Sequence, residues 1–457
     1  MFDSDSTVPS FDAVVIGAGF AGLRAAVDLQ RAGLHIALLE ARDRVGGRSR
    51  PGMLAGRVVD TGGQWVGHGH AQLTRLAADA GVPLLSQERP GAKLLQIGDR
   101  LHRYSGLIPP ASPVALIEMQ ILLWRLRLMQ RQVPPDAPWT ATRAAQLDAL
   151  TVADWQRRWL RSDGSRMLFD AAVRAVLCTE ASNLSMLGFL HYLGSSGSFD
   201  ALLAVRDGAQ AQTVGGGMHA LATHLAQQLM PGTLKLSTAV LAIEQRSNDV
   251  RIRLDGDRCL QARRVIVAMA PRMAGDIAMA PACAERSALA HGMPMGSVIK
   301  CVIAYARPFW RDAGLNGEFV GDRALLSPVF DASPADGSHG ALVGFIDGTN
   351  ARHWSKATPE ARRAAVLASL VGAFGPQAAA PIDYLDHDWI SDPWSRGCYV
   401  GVPTPGILSR HGPALAAPSG RIHWAGTETA GRWCGYIEGA LLSGARAASE
   451  VRTALAQ

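Results

Sequence analysis

The sequence predicts an α/β fold in which two domains are interleaved along the chain. The chain has 457 residues, which is more than one hydrophobic core usually supports. Residues 11–40 show a strand, a helix and a second strand, the order of a βαβ unit. Helical segments and further strands then alternate. We therefore expect a Rossmann-like parallel-sheet domain interleaved with a second domain of mixed β-sheet plus helices.

The βαβ unit begins with a short apolar run. Residues 13–16 are too few for a helix and rich in β-branched side chains, which is typical of a buried parallel strand. Gly17, Gly19 and Gly22 follow with G-x-G-x-x-G spacing and open a helix. A second buried strand covers residues 36–39. This order predicts a dinucleotide-binding unit.

Each glycine and the acidic residue that ends the unit meet a physical requirement. Gly17 permits a tight turn, Gly19 lets backbone amides approach a pyrophosphate, and Gly22 lets helix and strand pack closely. Glu40 follows Gly22 by eighteen positions and can accept hydrogen bonds from a ribose 2′-hydroxyl. Its carboxylate would repel a 2′-phosphate. The residues therefore predict NAD or FAD and not NADP, and they leave the choice between those two open.

Bulk properties exclude several other functions. The net charge is +6, but the arginines are scattered and form no basic tract, so we expect no nucleic-acid partner. The six cysteines lie far apart without a C-x-x-C pair, which argues against a disulfide framework or a zinc site and favours a reducing, cytoplasmic compartment. Residues 1–10 lack the pattern of a signal peptide. The apolar segment 114–129 contains charged residues, so we expect no membrane anchor.

Two further glycine pairs follow the βαβ unit. Residues 41–48 read ARDRVGGR and residues 60–67 read DTGGQWVG. Paired glycines suit close backbone approach to phosphates, with Arg42 or Arg48 as counter-charges. Taken alone, such segments are more often surface loops.

The motifs GAGFAGL, EARDRVGGR and DTGGQWVG, in this order, resemble the N-terminal third of the flavin-dependent amine oxidases, the family of monoamine oxidase and its bacterial relatives. AGTETA and GYIEGALLSGARAA are similar to the family's C-terminal FAD motif, and GSVIK and RGCY are similar to two motifs between them. The resemblance covers nearly the whole chain. It implies that the dinucleotide is FAD.

The resemblance also implies a set of cofactor contacts. In the family, the N-terminus of the last helix points at the flavin pyrimidine end, and the backbone of Val240 would meet the adenine. No metal is implied. The residues expected to bind FAD are Gly17, Gly19, Gly22, Glu40, Arg42, Gly47, Arg48, Gln64, Trp65, Val240, Trp389, Cys398, Gly426, Thr427, Glu428 and Ile437.

Lys300 is the first candidate catalytic residue. Residues 293–304 alternate as a strand, which places Lys300 on one face with Val298. Periodicity alone predicts a lysine that extends from the strand to solvent. By resemblance, it is instead the lysine that holds a water molecule against flavin N5, in surroundings that lower its pKa.

The residues expected to contact the substrate, and a possible covalent link to the flavin, are implied by the same resemblance. Tyr399 and Tyr436 match two parallel rings that form a slot leading to the flavin. Gln210 matches a glutamine that faces the substrate, although the register leaves Gln212 as an alternative. Cys398 matches a cysteine bonded to the flavin 8α-methyl group, but Arg396 stands where the family has glycine. Covalent attachment through Cys398 therefore remains a hypothesis.

The predicted domains use separate parts of the chain. The FAD-binding domain takes residues 10–85, 213–289 and 392–457, and the substrate-binding domain takes residues 86–212 and 290–391. Strands are predicted at 235–243, 250–254, 265–268, 293–304 and 341–346, and helices at 165–177, 359–370 and 436–454.

These expectations define a reaction. We expect FAD to oxidise a primary amine to an imine, which water hydrolyses to an aldehyde or ketone and ammonia, while O2 becomes H2O2. An L-amino acid oxidase, an amine dehydrogenase with a protein electron acceptor and a non-enzymatic FAD-binding protein remain as alternatives. The expected partners are a small-molecule amine, O2 and a second copy in a homodimer. His191 and His291 are expected to be structural.

Overall fold

The computed structural model describes residues 8–87, 89–106, 109–256 and 258–457. Within these residues the first sheet has eight strands and is parallel around its centre. Its path runs through Leu234–Lys235, Ile36–Leu39, Ser10–Ile16, Cys259–Ala268, Val250–Leu254, Val240–Gln245 and Ala278–Ala280, and Ile422–Ala425 also pairs with Cys259–Ala268.

Ser10–Ile16 is an inner strand of this sheet. It pairs in parallel with Ile36–Leu39 on one side and Cys259–Ala268 on the other. These strands are apolar because both faces of the sheet are covered. The helices Phe20–Arg31 and Ile437–Ala456 pack together and form one of the two hydrophobic cores with it. The predicted α/β fold class is confirmed.

The second sheet is mixed. It contains, in order, Asp383–Asp388, Val298–Tyr305, Gly340–Asp347, Val329–Asp331, Leu315–Gly321, Ala92–Ile97 and Arg100–Tyr104. All eight residues of Val298–Tyr305 are buried. Ile299, Cys301 and Ile303 share a core with the helix Pro359–Phe374. Val298 and Val302 lie on the opposite face, as does Lys300 by the alternation of the strand.

Two small sheets and the remaining helices complete the described part of the chain. The small sheets pair Pro51–Leu54 with Arg57–Asp60, and Gln212–Val214 with both Trp65–Val66 and Leu84–Ser86. The other α-helices are Ala71–Asp79, Pro113–Gln130, Ala144–Asp148, Val152–Gln156, Asp163–Leu177, Met186–Ser195, Phe199–Leu203, His219–Gln227, Pro271–Ala274, Ala284–Gly292, Gly348–Trp354 and Leu408–His411. None of the helices in the described ranges is long and apolar enough to cross a lipid bilayer.

Three predicted strands differ clearly from the observed ones, and the one predicted at 265–268 begins six residues earlier, at Cys259. The strand predicted from residue 293 begins at Val298, because Gly296 instead bonds through its N–H to the carbonyl of Val400. The strand predicted at 235–243 is divided, since the chain turns through Ser237, whose φ is 48°. The domain boundaries stay a prediction. The sheet membership of residues 10–39, 234–280 and 422–425 supports them.

Candidate active site

A cavity of about 420 Å³ lies at the carboxyl ends of the parallel strands, where the second sheet approaches the first. This edge is where open parallel sheets bind ligands. Most of the predicted site residues line it: Gly17, Gly19, Glu40, Arg42, Gly47, Arg48, Gln64, Trp65, Gln210, Val240, Cys398, Tyr399, Gly426, Thr427, Tyr436 and Ile437. Four others lie outside the lining, namely Gly22, Lys300, Trp389 and Glu428.

The glycine loop leaves bare backbone facing the cavity. Gly19 is the N-cap of Phe20–Arg31 and provides no side-chain cap, so amides of the first turn are free for an anion. A Cβ on Gly47 would lie 3.2 Å from Cα of Gly19, because the two loops nearly touch. A Cβ on Gly22 would lie 1.8 Å from the carbonyl oxygen of Gly17. Gly22 is therefore needed for close packing of the helix against the glycine loop. This cradle fits a pyrophosphate.

We expect Gly17→Ala to destabilise the protein more than Gly33→Ala and to abolish cofactor binding. Both glycines have positive φ, 97° and 81°, so both substitutions strain the backbone by about 1–2 kcal/mol. Only at Gly17 would the new Cβ also meet a backbone atom, 2.8 Å from the oxygen of Ala268, whereas nothing lies within 4 Å at Gly33. Urea unfolding of the two variants and their FAD content test this. Equal losses in both would contradict it.

Glu40 directly follows the second strand of the βαβ unit and lines the cavity. Its carboxylate accepts the N–H of Ala18 at 2.7 Å and the N–H of Arg42 at 2.9 Å, and only 4% of the residue is exposed. The carboxylate is thus held rigidly at the cavity wall. The Arg42 guanidinium donates to Asp392 and Ser395, each at 2.7 Å. It therefore joins two walls of the cavity in addition to adding positive charge.

Arg48 connects three parts of the chain. Its guanidinium donates to the Glu428 carboxylate at 2.6 and 3.1 Å and to the carbonyl of Tyr399 at 2.8 Å. Glu428 also accepts the N–H of Gly401 at 3.1 Å. Burial would raise the pKa of Glu428, but Arg48 outweighs it and holds that pKa below its usual value. Glu428 thus supports the cavity wall from behind.

Lys300 is buried behind the cavity wall. Its Nζ donates to the carbonyl of Gly62 at 2.8 Å and to Oε1 of Gln64, and both partners line the cavity. Burial lowers the pKa of Lys300, and the charge of Asp60 opposes this effect only in part. Burial likewise raises the pKa of Asp60, whose carboxylate accepts the N–H of Met218 at 2.9 Å. The ammonium group of Lys300 is therefore desolvated, and Gly62 and Gln64 separate it from the cavity.

Aromatic rings line one part of the cavity. Tyr399 contacts Phe345 edge to face, with ring centroids 6.0 Å apart. Tyr436 contacts Tyr192 at 6.1 Å and Trp433 at 5.2 Å. Tyr399, Tyr436, Phe345 and Tyr192 all line the cavity. The parallel arrangement of Tyr399 and Tyr436 stays a prediction.

The remaining candidates occupy distinct positions. Gln210 lines the cavity, and its Oε1 is buried without a hydrogen-bond partner, whereas Gln212 pairs in a strand with Val66. Cys398 is buried in the lining, and burial raises its pKa to about 12. Trp389 packs outside the lining and donates to the carbonyl of Thr61 at 3.0 Å. The described residues contain no cluster of three metal-binding side chains.

Sequence reasoning missed four residues of this site. Arg44 donates hydrogen bonds to carbonyls of its own glycine loop. The negative charge of Asp60 acts on Lys300 and raises its pKa. Phe345 pairs with Lys300 in the sheet register, and Tyr192 comes from an otherwise apolar helix. Arg44 and Asp60 belong to the glycine motifs ARDRVGGR and DTGGQWVG. A charged residue inside a glycine motif was therefore the signal that could have identified them. Phe345 and Tyr192 carried no signal, because apolar segments rarely show which side chain reaches a cavity.

Comparisons with known proteins identify the family to which the chain belongs. The model of a family described as flavin containing amine oxidoreductase matches residues 20–452. A putative flavin-containing monoamine oxidase of Mycobacterium tuberculosis is 38% identical, over 97% of this chain and 97% of its own length.

Two solved structures are similar over almost the entire chain. A cyclohexylamine oxidase from Brevibacterium oxydans has a TM-score of 0.93 and 31% identity, covering 98% of this chain and 100% of that chain. A putrescine oxidase in which cofactor binding was redesigned by replacing an alanine with cysteine also has a TM-score of 0.93, with 29% identity and coverage of 98% and 99%. The chain therefore belongs to the flavin-containing amine oxidase family and is an FAD-dependent oxidoreductase that acts on amines.

Proposed function

We propose that this enzyme oxidises a primary monoamine with an apolar substituent and uses O2 as electron acceptor, which yields H2O2. The observation that carries the proposal is the absence of any uncommitted charge among the described residues that line the cavity. The rings of Trp65, Tyr192, Phe345, Tyr399 and Tyr436 supply much of its surface. An apolar amine fits such surroundings, since its one polar group can be directed at the cofactor.

The arginines of the lining argue against an amino acid substrate. An amino acid oxidase needs a free guanidinium for the substrate carboxylate. Arg42 is paired with Asp392, Arg48 with Glu428 and Arg396 with Asp276 at 2.8 Å. Each positive charge is thus already neutralised within the protein.

The carboxylates of the lining argue against a diamine in the same way. A second ammonium group would need an acidic partner at the substrate end. Among the lining residues in the described ranges, Glu40 is held by the amides of Ala18 and Arg42, and Asp276 is paired with Arg396. A monoamine therefore fits better than a diamine.

Each element of the site has a role in this reaction. Bound FAD would supply the redox chemistry, by accepting two electrons from the amine and passing them to O2. Tyr399 and Tyr436 would orient the amine and exclude water, and a dry cavity lowers the pKa of the ammonium group so that the neutral amine is available. Lys300, Gln64 and the Gly62 carbonyl form a hydrogen-bonding group that would hold a water molecule beside the cofactor. Gln210, which lines the cavity, would face the substrate.

We further propose that Cys398 attaches FAD covalently. Its buried thiol lines the cavity, and cofactor binding in a putrescine oxidase of similar fold was redesigned by replacing an alanine with cysteine. We expect the yellow colour of the wild type to stay with the acid-precipitated protein, and Cys398→Ala to release it into the supernatant. Cys434→Ala, a matched control at another buried cysteine, should retain the colour. A yellow supernatant from the wild type would exclude the bond.

Anaerobic titration tests the substrate class. We expect aryl-alkyl or cyclic aliphatic monoamines to bleach the flavin fastest, with diamines and amino acids at least tenfold slower. Faster bleaching by an amino acid would overturn the monoamine proposal. Mixing the reduced enzyme with air then tests the acceptor, because slow reoxidation would favour a protein electron acceptor over O2.

The compartment is also a proposal. All six cysteines are free, which supports a reducing, cytoplasmic location.

A further inference from the structure

His70 is buried behind one of the cavity rings. It follows the glycine motif of residues 60–67 and is the N-cap residue of the helix Ala71–Asp79. Only 1% of the residue is exposed, and it does not belong to the cavity lining. Its imidazole ring lies 5.5 Å from the ring of Tyr436, which does line the cavity. A side chain of the cavity wall therefore stands between His70 and a bound amine.

A hydrogen bond within one turn fixes the imidazole. The N–H of Gly67 donates to Nδ1 of His70 at 2.9 Å, and the N–H of His70 donates to the carbonyl of Gly67 at 3.1 Å. A backbone N–H can only donate, so the neutral ring carries its hydrogen on Nε2. Burial lowers the pKa of His70 to about 4, so the ring is neutral near pH 7. His70 thus has no free nitrogen lone pair with which to take a proton from the amine.

The imidazole belongs to a cluster of three rings. It is nearly perpendicular to the indole of Trp433, at an angle of 85° and with centroids 4.2 Å apart. Trp433 in turn contacts Tyr436 at 5.2 Å and 76°, and His70 contacts Tyr436 at 63°. Edge-to-face contacts of this kind have a preferred geometry in addition to their apolar burial. Each ring of the cluster therefore restricts the orientation of the other two.

Backbone contacts hold the cluster together. Glu438, in the first turn of the last helix, accepts the N–H groups of Gln72 and Leu73 at 3.0 and 2.9 Å. The carbonyl of Trp433 accepts the N–H of Tyr436 at 3.0 Å. The first turn of the helix that follows His70 is thus tied to the first turn of the helix that follows Tyr436. This tie fixes the distance between the two rings.

We propose that His70 is a positioning residue for amine oxidation, because its imidazole holds the ring of Tyr436 in the orientation that a bound amine requires. The inference rests on the proposed function, in which Tyr436 orients the amine. A misplacement of about 1 Å can slow a reaction by about 10²-fold. Loss of the imidazole should therefore slow flavin reduction by the amine. The reaction of the reduced enzyme with O2, for which Lys300 is placed, should be unaffected.

His70→Asn removes the ring and keeps the turn. Asparagine brings a side-chain oxygen close to the position of Nδ1, where it can accept the N–H of Gly67. The reductant is whichever of cyclohexylamine and benzylamine reduces the wild type faster. In stopped-flow mixing, we expect the limiting rate of flavin reduction to fall about 10- to 100-fold and the rate of reoxidation to change less than about twofold. A general loss of structure would slow both steps, so equal slowing of both would exclude a positioning role.

A variant that keeps the ring tests whether the ring matters. His70→Phe should retain flavin reduction within about threefold of the wild type. Its Tm should nevertheless be lower, because the N–H of Gly67 loses its acceptor. His423→Asn is the matched control, since His423 is also buried and is bonded to Glu450, outside the cavity lining. Reduction as slow in His70→Phe, or in His423→Asn, as in His70→Asn would contradict the proposal.

A double-mutant cycle with Tyr436→Leu tests the route. If His70 acts through Tyr436, adding His70→Asn to Tyr436→Leu should slow flavin reduction less than about twofold further. Losses that multiply in the double variant would mean that His70 acts independently of Tyr436, and they would overturn the inference. An unchanged rate in Tyr436→Leu alone would instead contradict the role of Tyr436 in the proposed function, and the inference with it. The cycle therefore distinguishes the two failures.

Discussion

Replacing Lys300 with methionine is expected to slow reoxidation of the reduced enzyme by O2 about 10²- to 10³-fold, the loss that follows removal of one preorganised polar group from an active site. The Lys300 ammonium is buried and bonded to two groups of the cavity wall, Gly62 and Gln64. It is therefore placed to stabilise negative charge that develops on oxygen. Stopped-flow mixing of the reduced variant with oxygenated buffer measures the rate.

The rate of flavin reduction by amine separates this role from a structural one. Reduction should change less than about tenfold in Lys300→Met, because the lysine is not in the cavity lining. The variant also leaves the buried Asp60 without its neighbouring cation, so some stability should be lost. Lys300→Met/Asp60→Asn is the control for that effect. If the double variant restores fast reoxidation, Lys300 has no direct role in the reaction with O2.

Replacing Arg48 with methionine is expected to lower the free energy of unfolding by about 3–5 kcal/mol and to reduce FAD retention. The substitution leaves Glu428, whose side chain is fully buried, without a cation, and it detaches the glycine loop from the carbonyl of Tyr399. Chemical unfolding and flavin content are the measurements. Arg57→Met removes the exposed pair between Arg57 and Asp336 and should cost less than about 1 kcal/mol.

The pH dependence of the Arg48 effect has a defined sign. The folded protein holds the pKa of Glu428 below its usual value of 4.5. The pair therefore stabilises the wild type fully above that value and loses its contribution as the pH falls through the lower, folded-state pKa. The stability difference between wild type and Arg48→Met should be largest near neutral pH and shrink below 4.5. A difference that grows in acid would contradict the role of the pair.

The fold class could be predicted because its signals are local. Residues 11–40 contain every part of one βαβ unit, so composition and glycine spacing were sufficient to identify it. The choice of FAD came from the family resemblance, and the comparisons confirm it. The strand alternation around Lys300 also predicted which face this residue shares with Val298.

The errors in strand limits have a shared cause. At residues 293–297 and 236–239 the chain satisfies its backbone groups through other segments, as when Gly296 bonds to Val400 and Thr238 bonds to Glu40. Such partners are distant in sequence. Local propensity therefore could not locate these strand ends.

The sequence by itself determined the parallel sheet, the glycine cradle, the acidic residue that follows the second strand and the order of motifs that identifies the family. Only the tertiary structure decided which charges are neutralised, because Arg48 finds Glu428 and Arg42 finds Asp392 across hundreds of residues. It also decided that the lysine lies behind the cavity wall with Asp60 as an electrostatic neighbour. Local motifs encode backbone geometry, whereas burial and charge pairing depend on contacts between residues far apart in the chain.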